Sequence, residues 1–555
     1  MTDHTDAEAA SADAASSSDS EVPIATVETR RVFDRRRMIK IGGAALSVAA
    51  GAGGYAVLGP KHQTAAARRY TVAPAPDLRV HNVTVVDPLD GSVRPAMSVF
   101  VRAGRIIDVS AYAGAGHAVT DIDGGGRFVV PGYNNMHSHV LDADRSALFL
   151  ATMLAEGVTG FRQMTGSPEM LADRTTGHLP LDTHTPALLA MPGPILMPFN
   201  AKSAQDAVTE IGHQKDQGAD FIKIAMVDRQ VFFTALAEAR RHALVTAGHL
   251  PSDVSPAEAA RSGYTCIEHM GTGVGLWIEC SAKADELRNR AATIDTSGMP
   301  GPSWMVDVPL LDVLIMTRIQ GRLTNPAAYT TEETRALTQD ALDSFDPQRC
   351  RATARIFVES GTWHVPTLVR LRTQELADAA EYSTTDPWLS YMTAEARDEW
   401  RSSVDRFLGL GADFHATFQQ AYATRLRVIG IWHEEGVNMM TGTDGPGRVP
   451  GQSLRQEFGE LSQAGIPPLD ILRMATTNPA AFLGRSERMG RVAPGMDADF
   501  VLLDAHPLLD AKNLSAVGAV VRAGHYITRN ELEITIADLA DIPADPQYTT
   551  GQRCC

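Results

Sequence analysis

The sequence predicts an α/β fold, a (β/α)8 TIM barrel carrying a small β-sandwich domain built from both ends of the chain. Three observations predict it. Through the middle of the chain, short apolar strand-like runs alternate with helical ones such as Gln230–His242 and Leu469–Ala475, the pattern of βα units. The flanks are instead rich in β-like runs, Leu78–Val86, Met97–Val109 and Phe128–Val130 before the alternating region and Phe500–Leu503 and Val517–Arg522 after it. Asp-Gly, Gly-rich and Ala523-Gly524 turns separate them. Finally, isolated histidines and an acid follow directly on apolar runs, where a parallel barrel carries its reactive groups.

Composition bounds the function. A chain of 555 residues, 44% hydrophobic and 21% charged, folds rather than remaining disordered, collagen-like or coiled-coil. Its net charge of −16 supplies no basic field for phosphate backbones, so no nucleic-acid partner is expected. The five cysteines, Cys266, Cys280, Cys350, Cys554 and Cys555, form no Cys-x-x-Cys pair and leave the redox compartment undecided.

The first 30 residues are Ala, Ser and acid, too poor in apolar side chains to order. Asp34-Arg35-Arg36-Arg37-Met38-Ile39-Lys40 follows, then twenty uncharged residues from Ile41 to Pro60 with six glycines, then Ala65-Ala66-Ala67. This stretch resembles a twin-arginine export signal, which implies the twin-arginine machinery as a partner and a periplasmic or extracellular location. An uncleaved signal would anchor the protein to the membrane. The predicted organisation is a tail and signal over 1–67, the small β-domain from 68–130 and 486–530, the barrel over 131–485, and a tail over 531–555.

Pro131-Gly132-Tyr133-Asn134-Asn135-Met136-His137-Ser138-His139 places two histidines two residues apart. On a strand both imidazoles face one side and can share a metal. With 17 histidines in the chain, chance alone supplies about half such a pair, so the spacing needs support. Lys223, in Phe221-Ile222-Lys223-Ile224, sits in a run that reads as a buried strand. It either snorkels its ammonium to water or is a deprotonated amine that has taken up CO2 as a carbamate able to bridge two cations. His249 and His269 each end a short apolar strand and by themselves read equally as core or loop histidines. Glu268 alternates to the face opposite His269 and is expected to be structural. Asp444, in Thr443-Asp444-Gly445, follows another apolar run, where a plain turn is the alternative.

Order strengthens the set. At about 31 residues per βα unit, the gap of 86 residues from His137 to Lys223 holds three units, and the gaps of 26 and 20 that follow hold one each. The groups then fall on strands 1, 4, 5 and 6, with Asp444 on strand 8. The 175 residues from His269 to Asp444 require insertions on either side of a seventh strand at His364–Leu368, one of them over 271–355, placed to cover the reactive face.

This constellation resembles the amidohydrolase superfamily, and the Gly248-His249-Leu250-Pro251 and Ile267-Glu268-His269 motifs resemble its imidazolonepropionase-like and Xaa-Pro dipeptidase-like group. The run from Leu472 to Ala480 and Pro494-Gly495-Met496-Asp497-Ala498-Asp499 are similar to the family's C-terminal stretch. The resemblance implies two divalent metal ions, zinc before Mn, Fe or Co. His137, His139 and Asp444 would hold one metal, His249 and His269 the other, and carboxylated Lys223 with a hydroxide would bridge them. Asp444 would be the catalytic proton shuttle for hydrolysis of an amide C–N bond in a dipeptide, N-acyl amino acid or cyclic amide. Arg162 follows the second strand and either meets a substrate carboxylate or is an exposed arginine with no such role. The alternatives are an ester, lactone or phosphotriester hydrolase on the same site and a mononuclear deaminase, which would carry Glu where Ser252 stands. A small-molecule or short-peptide substrate is expected in every case.

Overall fold

The computed structural model describes residues 75–111, 120–294, 321–544 and 548. The expected tail and export signal, and Cys554 and Cys555, lie outside the described residues. No helix among the described residues is long and apolar enough to cross a membrane.

Both ends of the chain meet in one mixed eight-stranded sheet. Strand β1 (Leu78–Val86) pairs antiparallel with β2 (Val93–Arg102), which turns into β3 (Arg105–Ala111). The apolar run expected from Met97 to Val109 is therefore two strands. Ala103 and Gly104, at φ of 48° and 73°, form a tight hairpin that hydrophobicity alone does not mark. On its other side β1 runs parallel to β4 (Thr120–Asp123) and β5 (Phe128–Pro131). Strand β5 pairs antiparallel with the late strand β14 (Phe500–Leu503), Val130 opposite Val501, and β15 (Val517–Arg522) and β16 (His525–Thr528) complete the sheet. Val80, Val83, Val99, Val129, Phe500, Leu502 and Val521 pack together as its core.

The intervening chain supplies eight parallel strands in two sheets. The first contains β6 (Tyr133–Ser138), β7 (Val158–Gln163) and β8 (Ala187–Ala190). The second contains β9 (Phe221–Ile224), β10 (Val245–Gly248), β11 (Cys266–Glu268), β12 (Trp363–Val365) and β13 (Asn438–Met439). Their edges bond to each other twice. Met136 N donates to Thr441 O at 2.8 Å, and Leu196 N donates to Lys223 O at 2.9 Å. One apolar cluster draws Met136, Leu189, Phe221, Ala247, Cys266, Val365 and Met440 from both sheets. Amphipathic helices follow the strands. The helix Arg229–Arg241, for example, begins where the Asp228 carboxylate caps Val231 N at 2.8 Å and buries Phe232, Ala235 and Leu236.

The long connections fall on either side of β12, as the spacing requires. Helices Gly275–Glu279, Ala284–Ala291, Glu332–Asp343 and Pro347–Ser360 precede it, and Leu368–Glu375, Ala394–Leu408 and Ala412–Glu434 follow it. The segment expected as a C-terminal tail instead opens with a helix, Arg529–Ala540. Thr528 and Glu531 form a capping box at its start, and Leu532 is buried. Exposed Ile534, off the face that buries Leu532, blurs its amphipathic pattern in the sequence.

Candidate metal centre

The expected ligands come together where the parallel strands end. His137 closes β6, Asp444 follows β13, and His269 follows β11; one donor atom from each lies within 4.8 Å of the others, all buried. His137 Nε2 is 3.1 Å and His139 Nε2 3.3 Å from the same oxygen, Asp444 Oδ1, while His269 Nε2 is 4.0 Å from Oδ2. Lys223, fully buried in β9, brings its Nζ to 3.2 Å from His137 Nε2. His249, after β10, sets its ring edge-on to that of His269, with centroids 5.1 Å apart.

Each of the three histidines nearest Asp444 is also held from behind. His137 Nδ1 is 2.7 Å from Glu268 Oε2, His139 Nδ1 meets Thr165 Oγ1, and His269 Nδ1 is 2.6 Å from Thr367 Oγ1. The Thr367 hydroxyl donates to Pro366 O at 2.8 Å, so the proton in the His269 contact sits on Nδ1 and the Nε2 lone pair faces Asp444. Imidazoles fixed through one nitrogen and converging through the other on a carboxylate form a donor set suited to zinc and similar divalent ions.

Three features of the backbone make the convergence possible. Strand alternation predicts opposite faces for Glu268 and His269, but β11 ends at Glu268. His269, Met270 and Thr272 then take φ of 53°, 58° and 51°, so the chain turns and both side chains reach His137. Gly442 lies so close to β6 that a Cβ there would fall 2.4 Å from Val365 Cγ1 and 2.8 Å from His137 Cβ. Asp444 itself is left-handed at φ 58°, a strained conformation for a residue other than glycine that aims its carboxylate back at the histidines.

Charge is tightly arranged around His137. Burial and the neighbouring Lys223 ammonium push its pKa down, but the Asp444 and Glu268 carboxylates outweigh them and carry it to about 9. Burial would raise the Glu268 carboxyl, yet the Arg162 guanidinium and the His137 ring hold it down at about 2. Arg162 corrects an expectation. It is buried rather than exposed, and its bonds are within the protein: its Nη2 donates to Glu268 Oε1 at 2.6 Å and its Nε to Met136 O at 2.6 Å, beneath the histidine cluster. Its β-strand position points the side chain into the space between the sheets, where Glu268 is the compensating charge.

Sequence reasoning missed Arg370, Thr165 and Thr367. Arg370, in the first turn of the helix Leu368–Glu375 that follows β12, donates from Nε to Asp444 Oδ2 at 3.2 Å and from Nη1 to Thr324 O at 3.0 Å, and its Nη2 meets Leu323 O. It therefore links Asp444 to the segment before β12. A cleft lined by His139, Asp142, Leu323, Arg370, Asp444 and Arg448 opens above the cluster. The strand expected over His364–Leu368 ends at Val365, and the helix that starts at Leu368 is what carries Arg370 to Asp444.

The amidohydrolase family model matches residues 354–528, a span that includes β12, β13, Asp444 and the late strands of the mixed sheet. No curated protein matches the chain. Among solved structures, the chain is similar to bottromycin amidohydrolase (TM-score 0.58, 19% identity, covering 86% of this chain and 93% of that one). It is also similar to a Xaa-Pro dipeptidase with methionine bound in the active site (TM-score 0.51, 15% identity, 81% and 100%). A third is a putative prolidase from Bifidobacterium longum (TM-score 0.50, 18% identity, 84% and 100%). The family match over residues 354–528 and a fold shared with hydrolases together support a hydrolytic enzyme.

Proposed function

We propose that this protein is a metal-dependent amidohydrolase that cleaves an amide C–N bond in a dipeptide, N-acyl amino acid or cyclic amide, on a closed (β/α)8 barrel. The carrying observation is the set of imidazoles, each fixed through Nδ1, whose Nε2 atoms converge on Asp444. The mutual bonding of the two parallel sheets at both edges supports the barrel. The structural likeness to bottromycin amidohydrolase and to a Xaa-Pro dipeptidase supports the amide class.

On this reading His137, His139 and Asp444 would hold one divalent ion, and His249 and His269 a second, with zinc suited to the donors. Lys223 would join them as its carbamate; full burial beside His137 makes an unmodified ammonium costly there. When bound, such ions polarise a carbonyl and lower the pKa of water. Asp444 takes a proton from the attacking water and hands it to the departing nitrogen. Arg370 holds the Asp444 carboxylate at Oδ2, leaving Oδ1 toward the histidines. Glu268 and Thr367 keep His137 and His269 oriented throughout. The twin-arginine stretch supports export of the folded protein.

The test is metal content by elemental analysis of protein purified with bicarbonate, together with turnover across dipeptides, N-acyl amino acids and esters. Close to two equivalents per chain with amide turnover is expected. Lys223→Ala should abolish activity, with partial recovery in short carboxylic acids. One equivalent and an active Lys223→Ala protein would remove the bridged site, and turnover of esters alone would move the assignment to an esterase.

A further inference from the structure

Cys280 and Cys350 lie in the segment between β11 and β12, are 70 positions apart in sequence, and are both free and fully buried. The backbone brings them together. Cys280 ends the helix Gly275–Glu279, and its carbonyl accepts from Asp346 N at 2.7 Å. Asp346 caps the helix Pro347–Ser360, and Cys350, in the first turn, donates its N–H to Asp346 O at 3.1 Å. Beside this junction Ser281 and Phe345 form an antiparallel bridge, Ala282 N donates to Ser344 O at 2.8 Å, and the Ser281 and Ser344 hydroxyls are 2.7 Å apart.

The Cys350 side chain together with burial raises the Cys280 thiol well above its ordinary value. Cys266, also buried, contacts Arg162 instead, at 3.8 Å. A disulfide requires nearby Cα atoms and facing Cβ vectors, and the hydrogen bonds from Asp346 N to Cys280 O and from Cys350 N to Asp346 O hold the two backbones close.

We propose that Cys280 and Cys350 form an intramolecular disulfide when the chain meets an oxidising environment. The oxidant is a disulfide, either of low molecular weight or of an exchange protein. One cysteine thiolate attacks it, forming a mixed disulfide and releasing one thiol; the second cysteine displaces the other half as a thiol. The chain gives up two electrons and two protons, and the oxidant's S–S bond becomes two S–H groups. Because both sulfurs are buried and Cys280 is held protonated, the exchange proceeds through local opening of the junction and is slower than at an exposed pair.

The bond would close residues 280–350 into a covalent loop. That loop contains Leu323 and Thr324, whose carbonyls anchor Arg370 against Asp444. The proposal stands independently of the reaction catalysed. Export through the twin-arginine route would carry the folded chain to such an environment.

The full chain, purified reduced, is incubated with oxidised glutathione both folded and during refolding from urea, quenched in acid, alkylated under denaturing conditions and peptide-mapped. Expected are a peptide linking Cys280 to Cys350 and a raised thermal midpoint that dithiothreitol reverses. Cys280→Ser and Cys350→Ala should each abolish the linked peptide, and whichever of them folds should show no midpoint shift. Recovery of Cys280 and Cys350 as separately alkylated peptides in both arms, while Cys554 and Cys555 are oxidised, would overturn the proposal. Pairing of either with Cys266 would do the same.

Discussion

Glu268→Gln tests the charge arrangement beneath the proposed metal ligands. The substitution keeps the side-chain volume but removes the carboxylate bonded to Arg162, a guanidinium 1% exposed whose Nη2 lies 2.6 Å from Glu268 Oε1. Stranding a buried charge costs about 3–5 kcal/mol of stability. Contacts of the guanidinium with the Phe221 and Phe482 rings, at 5.5 and 5.3 Å to the centroids, favour the low end of that range. Metal affinity should fall separately by about 10–100-fold, because His137 Nδ1 loses its anionic partner. The two effects separate in a double variant. Arg162→Met with Glu268→Gln removes the stranded charge and should recover most of the stability while leaving metal affinity low. Urea midpoints read the first quantity, and competition with a chromophoric chelator during zinc titration reads the second. A single variant as stable as the parent, or a double variant that regains full metal affinity, would refute the argument.

Two further outcomes follow from the packing. His364 is fully buried between Phe357 and Trp432, and burial holds its pKa at about 3. Between pH 6.5 and 3 the unfolded chain binds a proton there that the folded chain refuses, so stability falls as pH drops, by about 1.4 kcal/mol per unit. His364→Phe should therefore gain about 2–3 kcal/mol on the parent between pH 7.5 and 4.5, read as the change in the difference between their urea midpoints; parallel pH profiles would sink the idea. Gly442→Ala would press a methyl against Val365 and His137. It should cost about 1–3 kcal/mol and weaken metal binding more than Gly459→Ala, whose Cβ meets nothing within 4 Å.

Much of the architecture was legible because it is written in local hydrophobicity. Leu78–Val86, Phe500–Leu503 and Val517–Arg522 are strands over the ranges their apolar runs define. The histidines and the lysine that gather around Asp444, and that acid itself, could be singled out because each lies in or directly after such a run. What surrounds them could not. Arg162 finds Glu268 106 residues away, and no local pattern announces a partner at that distance. Glu268 escaped because alternation assumes extended backbone through His269, where the chain is left-handed. Arg370, Thr165 and Thr367 act by orienting ligands, a task that leaves no spacing rule. The late helix Arg529–Ala540 has a clear cap, but exposed Ile534 blurs the apolar stripe of Leu532, Ile536 and Leu539.

The mixed sheet also sets a schedule for synthesis. Strand β5 ends at Pro131, and its partner β14 begins at Phe500. At roughly 5–20 residues per second, the ribosome leaves the β5 edge, with Val129 and Val130, waiting on the order of tens of seconds for its neighbour. An open apolar strand edge is a template for misplaced pairing. A nascent chain of this design therefore needs shielding until nearly its whole length has emerged, and a product truncated before Phe500 would keep that edge exposed.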